Sequence, residues 1–146
     1  MKRKPLLIIY FIFISFGLSQ KILVPMDLEQ SNHLKAYGIA FSELKKGRNI
    51  DWLLNYRGGS FLLDYNNLLE TQLKLRGVSY AIISSQDLIN IFSLIEKNNM
   101  DIVLLEKAPK IAVYTPPDKQ PWDDAVTLAL SYAEIEYETI FDDEVL

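Results

Sequence analysis

The sequence predicts an α/β fold built on a mostly parallel, three-layer sheet of the flavodoxin or amidotransferase type, truncated and with one β-hairpin. Short apolar runs typical of buried strands alternate with segments of helical periodicity, and strands linked by helices form parallel sheets through right-handed crossovers. The clearest strand–helix–strand unit occupies residues 111–140, close to the last residue, Leu146. We therefore expect a sheet whose remaining strands are missing, with an exposed edge strand that makes the chain aggregate or self-pair.

Residues 1–19 have the pattern of a secretory signal peptide. The basic segment Lys2-Arg3-Lys4 precedes an apolar run over residues 6–16, and small residues follow at Gly17 and Ser19. The apolar run is shorter than the roughly 20 residues that a membrane-spanning helix requires. We expect cleavage near Ser19 and export to the periplasm or beyond, so that the protein meets the membrane only through this segment. An uncleaved anchor and a buried first strand are the alternatives.

The composition excludes several kinds of chemistry. The sequence has no cysteine, which rules out disulfides, zinc–thiolate sites, iron–sulfur clusters and thiol nucleophiles. Loss of the signal segment would reduce Lys and Arg from 15 to 12 against 19 acidic residues and change the formal net charge from −4 to −7. This acidic balance argues against nucleic acid as a partner. Neither G-x-G-x-x-G nor G-x-x-x-x-G-K-[ST] occurs, so a nucleotide site is unsupported. We also expect no other cofactor and no metal.

The first predicted unit, residues 20–106, begins with a strand over residues 21–26 that places Asp27 at its carboxyl end. A helix follows, with Ser31 as a plausible N-cap and Gly47 as its stop. Its apolar positions at helical spacing are Leu34, Tyr37, Phe41 and Leu44. The only histidine, His33, has no recognisable nucleophile to activate and is interpreted as a surface or capping group.

Residues 49–64 are predicted to form a β-hairpin, because alternating apolar and polar residues precede the pair Gly58-Gly59 and an apolar run follows it. The alternative is an anion-binding loop, in which the bare backbone N–H groups of the glycines and the guanidinium of Arg57 bind a ligand. A glycine pair between apolar runs is more often a turn. We nevertheless retain Asp27, Arg57, Gly58 and Gly59 as candidate ligand-binding residues.

The rest of the first unit continues the alternation. A helix capped by Asn66 or Asn67 ends at Gly77, a strand covers residues 78–83, and a helix opened by Ser84 leads to a strand over residues 100–105. In this last helix, Leu88, Phe92 and Ile95 are predicted to face inward. The polar segment over residues 107–110 is either a domain boundary or a hairpin loop, and the sequence does not decide between them.

The second predicted unit, residues 110–146, starts with a strand ending at Tyr114. Ligands of doubly wound folds bind at the carboxyl ends of strands, which makes Thr115 a further candidate binding residue. The acidic pair Asp123-Asp124 and the group Asp142-Asp143-Glu144 lie at predicted helix starts, where favourable interaction with the helix dipole accounts for them without a metal or an acid–base role. We assign no catalytic residue and no metal ligand.

Four segments carry a family resemblance: KILVPMD at 21–27, NHLKAYG at 32–38, WLLNYRGGSFLL at 52–63 and KAPKIAVYTPP at 107–117. With them the chain resembles, from Lys21 to Leu146, exported bacterial proteins that carry the name asparagine synthetase B. The resemblance implies a longer protein whose class I glutamine amidotransferase-like domain begins near Ile111. The cysteine nucleophile of such enzymes and the S-G-G-x-D-S ATP loop of genuine synthetases have no counterpart here, so no catalytic residue is carried over.

Three hypotheses follow for the function. The first is a non-catalytic envelope protein, or part of one, that binds an unknown small molecule or an envelope partner. The second is an amidotransferase- or hydrolase-type enzyme whose active site lies beyond residue 146. The third is literal, glutamine-dependent asparagine synthesis. The signal peptide and the missing nucleophile favour the first.

Overall fold

The computed structural model describes residues 20–115 and 125–141. Within these ranges the chain forms four helices and seven strands. The helices are α1 (His33–Lys45), α2 (Asn67–Leu75), α3 (Ser85–Lys97) and α4 (Ala125–Ala133). The strands are β1 (Lys21–Val24), β2 (Ile50–Leu53), β3 (Ser60–Asp64), β4 (Ala81–Ile83), β5 (Ile102–Leu105), β6 (Ala112–Tyr114) and β7 (Glu138–Ile140). None of the described helices is long and apolar enough to cross a membrane.

The main sheet is antiparallel, and the predicted mostly parallel, flavodoxin-like sheet is therefore wrong. Its five strands lie in the order β4-β1-β3-β2-β5. Each neighbouring pair is antiparallel, including the predicted hairpin of β2 and β3, in which Trp52 pairs with Phe61. The hairpin loop covers residues 54–59, so it is longer than the two-residue turn that Gly58-Gly59 suggested.

The prediction failed on which strands are neighbours in the sheet. The helical crossovers do connect strands of the same direction, as expected. The pairings make β1 parallel to β2, and β3, β4 and β5 parallel to one another. Helices α1, α2 and α3 each connect two strands of the same direction. However, the hairpin folds β3 back beside β2, and β3 then also pairs with β1. The order β-α-β-β-α-β with an inserted antiparallel strand is the split arrangement of ferredoxin-like domains, extended here by α3 and β5.

Apolar side chains cover both faces of this sheet. On one face, Ile22, Val24 and Phe61 pack against α1 and α2. On the other face, Leu23 and Leu62 pack against α3. Successive residues of a strand point to opposite faces, which is why the short strands β1 and β3 are almost entirely buried.

The local signals for helix ends are largely confirmed. Asn66 caps α2, and Ser84 caps α3 in a capping box with Asp87. Gly47 and Gly77 follow α1 and α2 with positive φ of 75° and 65°. The N-cap of α1 is Asn32 rather than Ser31, because the Asn32 side chain accepts a hydrogen bond from the Lys35 N–H.

The predicted inward face of α3 is only partly confirmed, and the apolar positions named on α1 are only partly buried. Phe92 is exposed, and Ile91 and Ile95 are the buried residues of α3. On α1, Leu34 and Tyr37 are exposed, while Ala36, Gly38 and Ile39 are buried. The difference on α1 arises because a second helix, α4, also covers it.

The second unit contains the predicted strand–helix–strand motif, with β6 and β7 paired in parallel in a sheet of their own. Its helix α4 lies on α1, where the backbone of Ala133 approaches Gly38 so closely that a Cβ atom there would be 1.7 Å from the Ala133 oxygen. Ion pairs of Glu134 with Lys35 and Arg76, both at 2.6 Å, support the same contact. The signal segment and the acidic residues 123–124 and 142–144 lie outside the described residues.

Candidate functional site

Two of the predicted binding residues, Asp27 and Arg57, meet at one end of the sheet. The Arg57 Nε donates to Asp27 Oδ2 at 2.7 Å, and a terminal nitrogen donates to Asp27 Oδ1 at 3.3 Å. The same terminal nitrogen donates to Glu29 Oε2 at 2.5 Å. The guanidinium lowers the pKa of the Asp27 carboxyl, and the carboxylate in turn raises the pKa of Arg57.

The backbone of this loop is also in contact with the end of β1. Arg57 has a positive φ of 47°, and its carbonyl accepts a hydrogen bond from the Met26 N–H at 3.0 Å. Gly58, with φ of 80°, lies where a Cβ atom would be 2.4 Å from the Met26 oxygen. Next to it, the Gly59 carbonyl accepts from Trp52 Nε1 at 3.0 Å. The loop therefore requires glycine at Gly58 for close backbone contact.

These contacts hold the end of β1 against the loop of the β2–β3 hairpin, which gives the loop a structural role. An anion that approached Arg57 would have to compete with two carboxylates already bound to it. Ligand binding by Asp27, Arg57, Gly58 and Gly59 stays a prediction.

The remaining sequence candidates lie elsewhere. Thr115 follows β6 in the second sheet, where its N–H donates to the Ile140 carbonyl at 3.0 Å, and no hydrogen bond among the described residues joins it to Asp27 or Arg57. His33 begins α1, and its Nε2 lies 3.2 Å from the Met26 carbonyl oxygen, which requires the tautomer protonated at Nε2. His33 thus helps to hold the end of β1.

A groove that the sequence did not reveal lies between the first unit and the second. It has a volume of about 290 Å³, and side chains from both units line it. The lining residues are Tyr37, Ala40, Phe41, Leu44, Trp52, Phe61, Leu105, Pro109, Ile111 and Ile135. All of them are apolar or aromatic, and their polar side-chain groups are the Trp52 indole N–H, which donates to the Gly59 carbonyl, and the Tyr37 hydroxyl.

Four aromatic rings line this groove on the side of the first unit, and three of them contact one another. The Tyr37 and Phe61 rings meet edge to face with centroids 5.7 Å apart, and the Trp52 and Phe61 rings stack at 6.5 Å. Phe61 is buried, whereas Tyr37 is 48% exposed and borders the opening. The pairing of Trp52 with Phe61 across β2 and β3 fixes two of the three rings on the sheet.

Charged side chains border the groove beyond Phe41. A second cavity of about 300 Å³ shares Phe41, Pro109 and Ile111 with the groove, and its lining adds Lys45 and Glu136. Lys45 and Glu136 form an ion pair across the two units. The cleft between the units therefore has an apolar part at the aromatic rings and a polar part beside this ion pair.

In residues 20–115 and 125–141, no group of three or more His, Asp or Glu side chains could hold a metal ion. Comparisons of the chain with models of protein families, with curated proteins and with solved structures found no match. The resemblance to the asparagine synthetase B family therefore stays a prediction.

Proposed function

We propose that this chain is an exported, non-catalytic binding protein that takes a small, predominantly apolar molecule containing an aromatic ring into the groove between its two units. The observation that carries the proposal is the lining of that groove: four aromatic rings and otherwise aliphatic side chains, whose polar groups are the Tyr37 hydroxyl and the Trp52 N–H that donates to Gly59. Ligand sites are commonly concave, apolar and located between domains. The aromatic wall favours a ring-containing ligand, because offset and edge-to-face ring contacts add to the gain from apolar burial.

The size of the groove limits the affinity. A ligand that loses about 200 Å² of apolar surface gains about 5 kcal/mol, which corresponds to a dissociation constant of a few hundred micromolar. Tighter binding would require polar contacts from the neighbouring part of the cleft, where Lys45 and Glu136 could exchange their ion pair for contacts with the ligand.

The proposal is tested with N-phenyl-1-naphthylamine as an apolar, ring-containing probe. In a Trp122→Phe background, Trp52 is the only tryptophan, and we expect the probe to quench its fluorescence saturably. Tyr37→Ala removes a ring from the groove and should weaken binding several-fold. Leu68→Ala is the matched control, since Leu68 is a similarly exposed apolar residue on helix α2 outside the groove. Equal binding by both variants, or no saturable quenching, would refute the proposal.

Export is tested separately. Expression of the tagged chain followed by cell fractionation and mass spectrometry should find it outside the cytoplasm, with Gln20 as its first residue. A cytoplasmic protein that retains Met1 would contradict the export proposal without affecting ligand binding.

The enzymatic alternative rests on the family resemblance alone. Glutamine- and ATP-dependent formation of asparagine, or release of ammonia from glutamine, by the longer protein that the resemblance implies would establish it in place of the binding function. Absence of both activities under conditions where a genuine synthetase works would retire it.

A further inference from the structure

Strand β5 ends the main sheet with an apolar and uncovered edge. It pairs with β2 on one side only, and no described strand lies on its other side. Its residues Ile102, Val103 and Leu104 are 41%, 38% and 52% exposed. Edge strands of soluble proteins usually carry charged residues, proline or a bulge, which discourage pairing with another strand. Residues 102–105 have none of these features.

The hydrogen bonds of β5 show which of its backbone groups are directed outward. The carbonyl of Asp101 accepts from the Leu54 N–H at 2.8 Å, so the pair Leu54–Asp101 is a hydrogen-bonded pair of the antiparallel ladder. Such pairs alternate along a ladder, so Val103 and Leu105 also direct their backbone groups toward β2. Ile102, Leu104 and Glu106 consequently direct theirs away from the sheet.

We propose that β5 is a dimerisation strand, which pairs antiparallel with β5 of a second copy of this chain about a twofold axis at Leu104. Two outward-directed residues must lie opposite each other, and an axis at any residue from Ile102 to Glu106 achieves this, through a hydrogen-bonded pair at even positions and a non-hydrogen-bonded pair at odd ones. An axis at Val103 would place Asp101 opposite Leu105, and an axis at Leu105 would place Lys107 opposite Val103. An axis at Glu106 would place two glutamates opposite each other. An axis at Ile102 would place the Asp101 carboxylate beside apolar Val103.

Of these axes, only the one at Leu104 places opposite charges opposite each other. It brings Asp101 of each copy, just before β5, toward Lys107 of the other, at the bend two residues after β5, so that two opposite-charge pairs flank the strand. It also places Val103 opposite Leu105, the two Leu104 side chains opposite each other, and Ile102 opposite Glu106, which is the one apolar–charged pair of this register. In the described part of a single copy, neither Asp101 nor Lys107 belongs to an ion pair. The result is a continuous ten-stranded sheet across the dimer.

This charge match favours a second copy over a foreign peptide, because the complementary sequence is that of β5 itself. Two other segments could pair with the edge of β5: an extended segment of a different protein, or a segment of this chain from outside the described residues. The following experiment distinguishes them from a second copy.

The test is sedimentation velocity of the purified full chain over a range of concentrations, where we expect a reversible monomer–dimer equilibrium. Leu104→Lys places two ammonium groups opposite each other at the axis and should abolish the dimer. Asp101→Lys and Lys107→Asp should each weaken the dimer by about tenfold, because each change places like charges opposite at two positions. The double variant Asp101→Lys/Lys107→Asp should restore it.

Restoration by the double variant separates pairing from stability, because the two side chains do not pair within one copy. Thermal unfolding of each variant shows whether it is folded. The proposal is overturned by a wild-type chain that is monomeric at all concentrations, as expected if another segment covers the edge. A dimer that survives Leu104→Lys, or that the double charge reversal fails to restore, would also overturn it, since dimerisation would then use another surface.

Discussion

Replacement of Gly38 by alanine should loosen the packing of helix α4 on helix α1. A Cβ atom at Gly38 would lie 1.7 Å from the carbonyl oxygen of Ala133 and 2.9 Å from its carbonyl carbon. Both are backbone atoms, which cannot rotate away as the end of a side chain can. The two segments must therefore separate until the distance from Cβ to the oxygen reaches at least 3.0 Å.

Two effects of opposite sign determine the change in stability. In an unhindered helix, replacement of glycine by alanine stabilises by about 1 kcal/mol. Overpacking typically costs about 1–3 kcal/mol. Separation also stretches the Lys35–Glu134 ion pair and the hydrogen bond from Asn32 to the Tyr132 hydroxyl, each 2.6 Å long. We expect a net destabilisation of about 1–2 kcal/mol, which lowers Tm by about 3–6 °C for a chain of this size.

Thermal unfolding followed by circular dichroism measures the stability, and an NMR titration of Glu134 measures the packing. The hydrogen bond from Lys35, with the charge of Arg76 nearby, lowers the pKa of Glu134, so this pKa should rise toward its ordinary value in Gly38→Ala. Gly47→Ala is the matched control: it strains a residue with φ of 75° but meets no atom within 4 Å, so the Glu134 pKa should not change. A Gly38→Ala variant that is more stable than the wild type, with an unchanged Glu134 pKa, would refute this reasoning.

Three further predictions concern the first unit. Arg57 lowers the pKa of Asp27 below its ordinary value of 3.8, so the charged pair stabilises the fold fully above pH 3.8 and loses this effect as the pH falls further. The difference in free energy of unfolding between the wild type and Asp27→Asn, measured in urea, should therefore shrink as the pH falls below 3.8. Gly58→Ala should cost about 1–3 kcal/mol more than Gly77→Ala, because both residues have positive φ but only Gly58 faces a backbone oxygen at 2.4 Å, and urea unfolding of both variants measures the difference. Arg48→Met should lower the free energy of unfolding by about 1–3 kcal/mol in the same assay, because it removes a partner from the Glu43 carboxylate, whose side chain is only 4% exposed. A smaller loss than in Lys21→Met, which breaks the more exposed Lys21–Asp64 ion pair, would contradict this.

Helix ends, which depend on residues close together in the sequence, were predicted from the sequence. The order of the strands, which depends on contacts between distant residues, was not. Ser84 with Asp87, and Gly47 after α1, mark helix ends through contacts within a few positions, and each of these signals is confirmed. The order of the strands depends instead on pairing between β1 and β3, where Lys21 lies opposite Asp64. Alternation of strands and helices is compatible with both a parallel sheet and a split antiparallel one, so periodicity could not decide.

The candidate site shows the same limit. Asp27 and Arg57 were each singled out by position, but their pairing across 30 residues required the hairpin to fold back beside β1. The groove residues Tyr37 and Phe41 were predicted only as apolar positions of a helix, with no indication of what they contact. Helix α4 covers the side of α1 that carries Gly38, which turns Tyr37 toward the opening of the groove. No pattern in α1 indicates that two elements pack against it.

Ligand binding and packing between the units should be coupled, because one short segment serves both. Ala133 contacts Gly38, and Ile135, two residues later, lines the groove opposite the aromatic rings. A ligand that contacts both walls binds only when α4 lies on α1, so it should stabilise that arrangement by mass action, by about 1.4 kcal/mol at ten times its dissociation constant. N-phenyl-1-naphthylamine should therefore raise the Tm of the wild type. In Gly38→Ala, where packing is incomplete, the probe should lower the raised pKa of Glu134 back toward its wild-type value. Binding that leaves both quantities unchanged would place the probe outside the groove, since no ligand held between the two units can be indifferent to their contact.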